Sequence, residues 1–170
     1  MTELYHLTWN IFHKISLYYN ESYKNFYITF FETFKKIIPC KICRNHYIEY
    51  MNNNFYENID KGTIFYWTID LHNNINSINN KRLWNYDEAK EYYANYDSNL
   101  NMFLYIYITN FKNKENKEEL ILMIKSIPYV YYDINKKKEL IKFSENFELN
   151  CNNMKDWLIA FIIIIKYSFS

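Results

Sequence analysis

The stretch Pro39-Cys40-Lys41-Ile42-Cys43-Arg44-Asn45-His46-Tyr47 carries the Cys-x-x-Cys pair on which the interpretation of this chain depends. Proline cannot continue a helix, so Pro39 predicts that a new helix begins at Cys40. The spacing then places the two sulfurs one helical turn apart, close enough to bond. The positive end of the helix dipole lowers the pKa of a thiol at that position, and Arg44 adds positive charge. Both effects favour the thiolate that exchanges disulfides.

Three interpretations of the pair stay open on these residues alone. The pair can be a redox-active disulfide, or the two cysteines can be inert, buried side chains. It can also belong to a zinc site, because the pair and His46 form C-x-x-C-x-x-H, and Cys151, His72 or His13 could supply a fourth ligand. Zinc is the weaker alternative, since the chain has no second close-spaced pair.

Composition limits the class of protein further. At 170 residues the chain suits one compact domain, or a small domain with an extension. Its formal net charge of +1 gives no long-range attraction to nucleic acid or to an anionic membrane. Aromatic residues make up 21%, which supplies enough apolar surface for a folded core. We expect a folded protein that recognises its partner through local contacts.

The single glycine, Gly62, excludes the glycine-rich loops that cradle phosphates. A nucleotide cofactor would have to be held by side chains on helices, and asparagine would have to supply most positions of positive φ. The N-terminus has no secretory signal, and the longest apolar run, residues 157 to 165, is too short to span a bilayer. We interpret the run as a buried helix and expect an intracellular protein.

Apolar residues recur at helical spacing along the chain and predict an all-α fold. The predicted helices cover residues 4 to 19, 22 to 38 with Ser22 as N-cap, 40 to 51, 63 to 80, a short helix from 87, then 99 to 110, 116 to 126, 136 to 147 and 153 to 167. The run Lys136-Lys137-Lys138 is typical of a solvated face. Several large aromatic side chains in the second half predict packing on the first half or a dimer interface: Tyr105, Tyr107, Phe111, Trp157 and Phe161.

Aromatic, amide and cationic side chains flank the cysteine pair in sequence. They are Trp9 and His13 on the first helix, His72, Asn73 and Asn76 on the fourth, and Lys81 and Trp84 after it. A planar ring system with a charged diphosphate tail needs aromatic walls, neutral hydrogen-bonding groups and a cation. Each residue singly is more often a core or surface residue, but together around one Cys-x-x-Cys they favour a cofactor site.

The ordered set of motifs resembles the Erv/ALR sulfhydryl oxidases, and most of all their short viral members of the African swine fever virus type. The matching stretches are Trp9-Asn-Ile-Phe-His13, the Cys-x-x-Cys segment through Tyr47, Trp67-Thr-Ile-Asp-Leu-His72-Asn73-Asn-Ile-Asn76, and Lys81. The resemblance covers about residues 4 to 96. It implies an oxidase domain at 1–96 followed by a helical extension of unknown role at 97–170.

The resemblance implies a four-helix bundle with a short fifth helix that holds FAD non-covalently at one end of the bundle, and a homodimer. The implied cofactor contacts are Trp9, His13, His46, His72, Asn73, Asn76, Lys81 and Trp84. Cys43 is then the cysteine next to the flavin, and Cys40 is the sulfur that substrate attacks. No metal is implied.

The implied partners are a thiol-containing protein or a thioredoxin-like carrier, and molecular oxygen, which is reduced to hydrogen peroxide. If the chain is viral, the host cytoplasm or the virion is the expected location. The sequence departs from the family pattern in two ways. No arginine precedes Trp9, so His6 or a lysine would have to compensate, and Cys151 has no neighbouring cysteine with which to form a shuttle disulfide.

Overall fold

The computed structural model describes residues 2–96, 99–110 and 116–167, which fold into α-helices with no β-strand among them. The helices of these residues are α1 (Thr2–Leu17), α2 (Lys24–Ile37), α3 (Lys41–Asn54), α4 (Ile64–Ile78), α5 (Tyr86–Asn95), α6 (Leu100–Asn110), α7 (Lys117–Val130), α8 (Ile134–Asn146) and α9 (Met154–Tyr167). The predicted all-α fold is confirmed. No helix in this described part is long and apolar enough to cross a membrane.

The first four helices form a bundle, and the short helix α5 packs against α1 and α4. Helix α3 packs against both α2 and α4, and α1 packs against α4. Phe12 of α1 lies at the centre, where its ring contacts those of Phe30, Phe31 and Phe34 on α2. All four rings are buried, and each contributes about 1.5–3 kcal/mol relative to an exposed position. The predicted bundle with a short fifth helix is confirmed.

Helix α3 begins directly after Cys40, as the position of Pro39 predicts. Helix α2 ends at Ile37, Pro39 lies in the connection, and Cys40 is the N-cap of α3, with extended backbone angles. The Cys40 side chain accepts a hydrogen bond from the N–H of Cys43, which satisfies one of the amides that a helix start leaves unpaired. The first cysteine is therefore fixed by the backbone of the helix that carries the second.

The second half of the chain packs on the bundle and shares its hydrophobic core. Helix α7 lies along α2, α6 lies against α1, and α9 packs on α6 and α8. Phe34 of α2 makes ring contacts with both Phe103 and Tyr107 of α6. Phe26 of α2 stacks on Tyr129 of α7 with the ring centroids 3.6 Å apart. Packing on the bundle was one of the two roles predicted for Tyr107.

Three details of the sequence interpretation need correction. Ser22 is not the N-cap of α2; it lies in a short 3-10 turn, where its own N–H donates to the side chain of Asn20. Lys137 is buried rather than solvated, with its ammonium group over the ring of Tyr23. Tyr105 is 54% exposed, because it lies on the outer face of α6. A fourth expectation, burial of Phe111, lies outside the described residues.

The turn after α4 uses an asparagine where a glycine is common. Asn80 has φ 52° and Asn99 has φ 48°, whereas Gly62 does not have a positive φ. Asparagine tolerates the left-handed region better than most residues. The reversal at Asn80 lets the N–H of Lys81 bond to the carbonyl of Asn76, which folds the following segment back toward α4.

Replacing Phe34 by alanine should lower the free energy of unfolding by about 3–5 kcal/mol, because it opens a cavity between α1, α2 and α6. Unfolding should remain a single transition, since the bundle and the second half share this core. Chemical denaturation followed by circular dichroism tests both points. Tyr105→Ala, on an exposed face, is the matched control and should cost less than about 0.5 kcal/mol. Two separate transitions in the unaltered protein would contradict the shared core.

Candidate active site

The two cysteines of the pair face each other at the start of α3. Their Sγ atoms are 2.6 Å apart, and a disulfide bond is about 2.0 Å long, so a small side-chain rotation brings them to bonding distance. Both side chains are partly exposed. The geometry therefore suits a pair that can cycle between dithiol and disulfide.

The two thiols have different environments, which shift their pKa values in opposite directions. The hydrogen bond from the Cys43 thiol lowers the pKa of Cys40, and the backbone N–H of Cys43 lowers it further. Burial raises the pKa of Cys43, and the hydrogen bond to Cys40 raises it further. In the reduced pair Cys40 is therefore the thiol that loses its proton first. The Arg44 guanidinium donates to the carbonyls of Lys36 and Ile38, so this arginine fastens α3 to the end of α2.

A cavity of about 600 Å³ opens beside the second cysteine. Cys43 is part of its lining, whereas Cys40 is not. Six of the predicted cofactor residues also line it: Trp9, His46, His72, Asn76, Lys81 and Trp84. The fold thus brings residues from α1, α3, α4 and the segment after α4 together around the cavity next to Sγ of Cys43.

An aromatic stack forms one wall of the cavity. The rings of Trp9 and His72 are parallel, with centroids 4.2 Å apart and an interplanar angle of 4°. His13 lies behind them, fully buried, with its Nε2 2.9 Å from Nδ1 of His72. His13 therefore supports the wall from inside the bundle and does not line the cavity.

Hydrogen bonds in the bundle fix the tautomers of both histidines. The hydroxyl of Thr68 lies 2.7 Å from the carbonyl of Phe65, which can only accept, so we assign the hydroxyl hydrogen to that contact. Ser16 Oγ, also 3.0 Å from this hydroxyl, donates to the carbonyl of Phe12 at 2.7 Å. With both hydroxyl hydrogens assigned in this way, His13 Nδ1, 3.0 Å from the Thr68 oxygen, donates to it. This leaves His13 Nε2 to accept from His72 Nδ1–H, and it leaves Nε2 of His72 as an acceptor.

Both histidines are neutral at pH 7. Burial lowers the pKa of His13 well below its ordinary value, and the neighbouring His72 lowers it further. Burial also lowers the pKa of His72 to about 4, with smaller contributions from the charges of His6 and Lys81. An uncharged wall of this kind accepts a flat ring system without the cost of desolvating a charge.

The two predicted asparagines of α4 hold the segment that follows the helix. Asn73 donates to the carbonyl of Trp84 and accepts from its N–H, at 2.9 and 2.7 Å. Asn76 donates to the carbonyl of Arg82 at 2.9 Å. These bonds keep Trp84 and Lys81 at the cavity, so Asn73 positions other lining residues without lining the cavity itself.

The structure gives the zinc alternative no support. Among the described residues no three His, Cys, Asp or Glu side chains come together as a metal site would require. Cys151 is exposed in the turn before α9, where its thiol contacts the side chain of Asn152.

Comparison with known proteins agrees with the geometry. Residues 6–94 match the model of the Erv1/Alr family, which is more than half of the chain. The chain belongs to the Erv1/Alr family. It is 33% identical over 92 residues to a probable FAD-linked sulfhydryl oxidase of Acanthamoeba polyphaga mimivirus, covering 49% of this chain and 63% of that protein.

The chain is also similar to FAD-linked sulfhydryl oxidases of African swine fever virus isolates from Kenya and Malawi. It is 28% identical to each over 89 residues, which is 50% of this chain and 75% of each viral protein. No solved structure matches the chain. The family match ends at residue 94 of the chain.

Several tyrosines at this Erv1/Alr site were missed by the sequence interpretation. Tyr5 lines the cavity and precedes Trp9 by four residues, so helical periodicity alone could have placed it on the same face. Tyr107 of α6 also lines the cavity, although it belongs to the second half of the chain. No local motif could have indicated it, because its position depends on how α6 packs on α1.

No arginine precedes Trp9, and the nearby side chain of His6 lies at the cavity. His6 lines the space, and its Nδ1 lies 2.9 Å from the amide nitrogen of Asn10. Lys81 lines the same cavity and is exposed. The sequence suggested His6 or an unspecified lysine as the compensating group, and both His6 and Lys81 lie at this site.

The assigned tautomers lead to a direct prediction. Nitrogen-15 NMR of the histidine rings should show Nδ1 protonated and Nε2 unprotonated in both His13 and His72 at neutral pH, because Thr68 cannot donate to His13. Thr68→Val should lower the free energy of unfolding by about 1–3 kcal/mol, since it leaves a buried donor unpaired. Thr68→Ser keeps the hydroxyl and is the matched control. Protonated Nε2 in His13 would contradict the assignment.

Proposed function

We propose that this chain is an FAD-dependent thiol oxidase that forms disulfides in partner proteins and passes the electrons to oxygen, giving hydrogen peroxide. The observation that carries the proposal is the placement of Cys43 in the wall of an aromatic cavity, with its partner Cys40 outside that wall. Membership of the Erv1/Alr family and the names of the viral relatives support the same chemistry.

The side chains at the cavity fit FAD. The parallel rings of Trp9 and His72 offer an apolar, uncharged face for a planar ring. Lys81 offers a cation for the diphosphate, and Trp84 offers a second aromatic surface. His46 lines the cavity from α3, one turn after Cys43. When bound, FAD would supply the two-electron oxidation of the dithiol and the transfer of those electrons to oxygen.

The exchange chemistry follows from the two sulfurs. A substrate thiolate attacks Sγ of Cys40 in the Cys40–Cys43 disulfide, so a new sulfur–sulfur bond forms and Cys43 leaves as a thiolate. A second substrate thiolate then attacks the substrate sulfur of this mixed disulfide. The substrate leaves oxidised, and Cys40 leaves as a thiolate to which the backbone N–H of Cys43 donates a hydrogen bond.

The direction of attack follows from access to each sulfur. Cys40 lies outside the cavity lining at the exposed start of α3, beside Lys41 and Ile42, which are both exposed. Cys43 lies in the lining, on the side where an acceptor would bind. Cys40 is therefore the sulfur that meets substrate, and Cys43 is the one that delivers electrons.

We further propose a thiol-containing protein or a thioredoxin-like carrier as substrate, because Cys40 lies at the surface rather than at the end of a narrow pocket. Residues 1–96 carry the chemistry in this proposal, and the described residues of the 97–170 segment pack on the bundle and add Tyr107 to the cavity. His13 and Asn73 act by positioning His72 and Trp84. A homodimer and an intracellular or virion location are part of the same proposal.

The purified protein should be yellow and should consume oxygen when a small dithiol is added. Cys40→Ser and Cys43→Ser should each lower this oxygen uptake by more than about 10³-fold, since each sulfur takes part covalently, and both variants should keep the colour. Cys151→Ser is the matched control and should retain full uptake. An oxygen electrode and a visible spectrum provide the measurements.

The alternatives give different results in the same experiment. A colourless protein that contains zinc and unfolds on chelation would show a helical interaction module rather than an oxidase. A colourless protein that exchanges disulfides without oxygen uptake would show a flavin-free thiol exchanger.

A further inference from the structure

We propose that Tyr5 is a further catalytic residue, whose hydroxyl donates a hydrogen bond to the Cys43 thiolate each time substrate attack on Cys40 releases it. The inference deepens the proposed function and rests on it, because it concerns the leaving group of the exchange step.

The position of Tyr5 supports this role. Its hydroxyl oxygen lies 3.8 Å from Sγ of Cys43, which is within hydrogen-bonding distance of a sulfur atom. Tyr5 lies on α1 one turn before Trp9, and it lines the same cavity as Cys43. Helix α1 therefore brings a phenol to the buried side of the cysteine pair.

The chemistry of the phenol makes it a donor. Burial raises the pKa of Tyr5 well above its usual range, and hydrogen bonds with Cys43 and Cys40 raise it further. The hydroxyl thus stays protonated at any pH at which the protein works. When Cys43 is a thiol, its S–H can donate to the phenol oxygen; when it is a thiolate, it accepts the phenol hydrogen instead.

Cys43 needs such a donor. Burial raises its pKa, which disfavours it as a leaving group, and the hydrogen bond with Tyr5 acts in the opposite direction. In the exchange step a substrate thiolate bonds to Sγ of Cys40, the Cys40–Cys43 bond breaks, and the electron pair of that bond stays on Sγ of Cys43. The phenol hydrogen remains on Tyr5, so no proton is transferred in this step.

Other titratable groups surround the same cavity. Cys40 is adjacent on α3, and His46 lies one turn further along that helix. His6 of α1, His72 of α4 and Lys81 line the cavity from the other elements. Tyr5 differs from His6, His72 and Lys81 because its hydroxyl lies within hydrogen-bonding distance of Sγ of Cys43.

The test isolates Cys43 in the full-length protein carrying Cys40→Ala and Cys151→Ser. The rate at which iodoacetamide alkylates the one remaining cysteine, followed against pH, gives the pKa of Cys43 in this background. Adding Tyr5→Phe should raise that pKa by about one unit, because one hydrogen bond to the charged form is lost. Tyr105→Phe removes a hydroxyl from an exposed site and is the matched control, which should leave the pKa unchanged.

Two further variants keep the test decisive. Tyr5→Leu also lacks the hydroxyl and should raise the pKa of Cys43 in the same direction if Tyr5→Phe fails to fold. In the Cys43→Ala, Cys151→Ser background, Tyr5→Phe should shift the pKa of Cys40 by less. An unchanged pKa of Cys43, or a larger shift at Cys40, would overturn the role of Tyr5. Absence of flavin would instead contradict the proposed function while leaving this titration readable.

Discussion

The start of α3 at Cys40 is the constraint on which the rest of the site depends. A helix leaves its first amides without partners, and here the first cysteine sulfur accepts one of them from the second cysteine. The same arrangement brings the sulfurs together, lowers the pKa of Cys40 and directs Cys43 toward the cavity. Arg44, directly after the pair, holds this start against the end of α2.

The bundle then builds a cofactor-sized cavity without a glycine-rich loop. The flat, neutral rings of Trp9 and His72 form the wall, where a glycine-rich loop would present its backbone. Behind them, the buried Thr68 hydroxyl sets which nitrogens of His13 and His72 donate. Asn73 and Asn76 bind the backbone after α4 and so place Lys81 and Trp84. The second half of the chain is part of this construction, because Phe103 and Tyr107 pack on Phe34 of the bundle.

Helix periodicity and the proline were sufficient to predict the all-α fold and the start of α3, since both are local signals. Most of the residues around the cavity were also predictable as a group, because their ordered motifs resemble those of the Erv/ALR family. Their individual contacts were not predictable: His13 and Asn73 proved to support neighbouring residues, and Tyr107 came from a segment with no recognisable motif. Burial of Lys137 and exposure of Tyr105 depend on tertiary packing, which local sequence does not specify.

The central claim is that the Cys40–Cys43 pair delivers electrons to a flavin held in the adjacent cavity. The most direct measurement is the visible spectrum of the purified chain before and after a dithiol is added in the absence of oxygen. This claim predicts a flavin absorption band that bleaches with dithiol and returns when oxygen is admitted, with no bleaching in Cys43→Ser. A flavin band that dithiol leaves unchanged in the unaltered protein, or no flavin band at all, would contradict it.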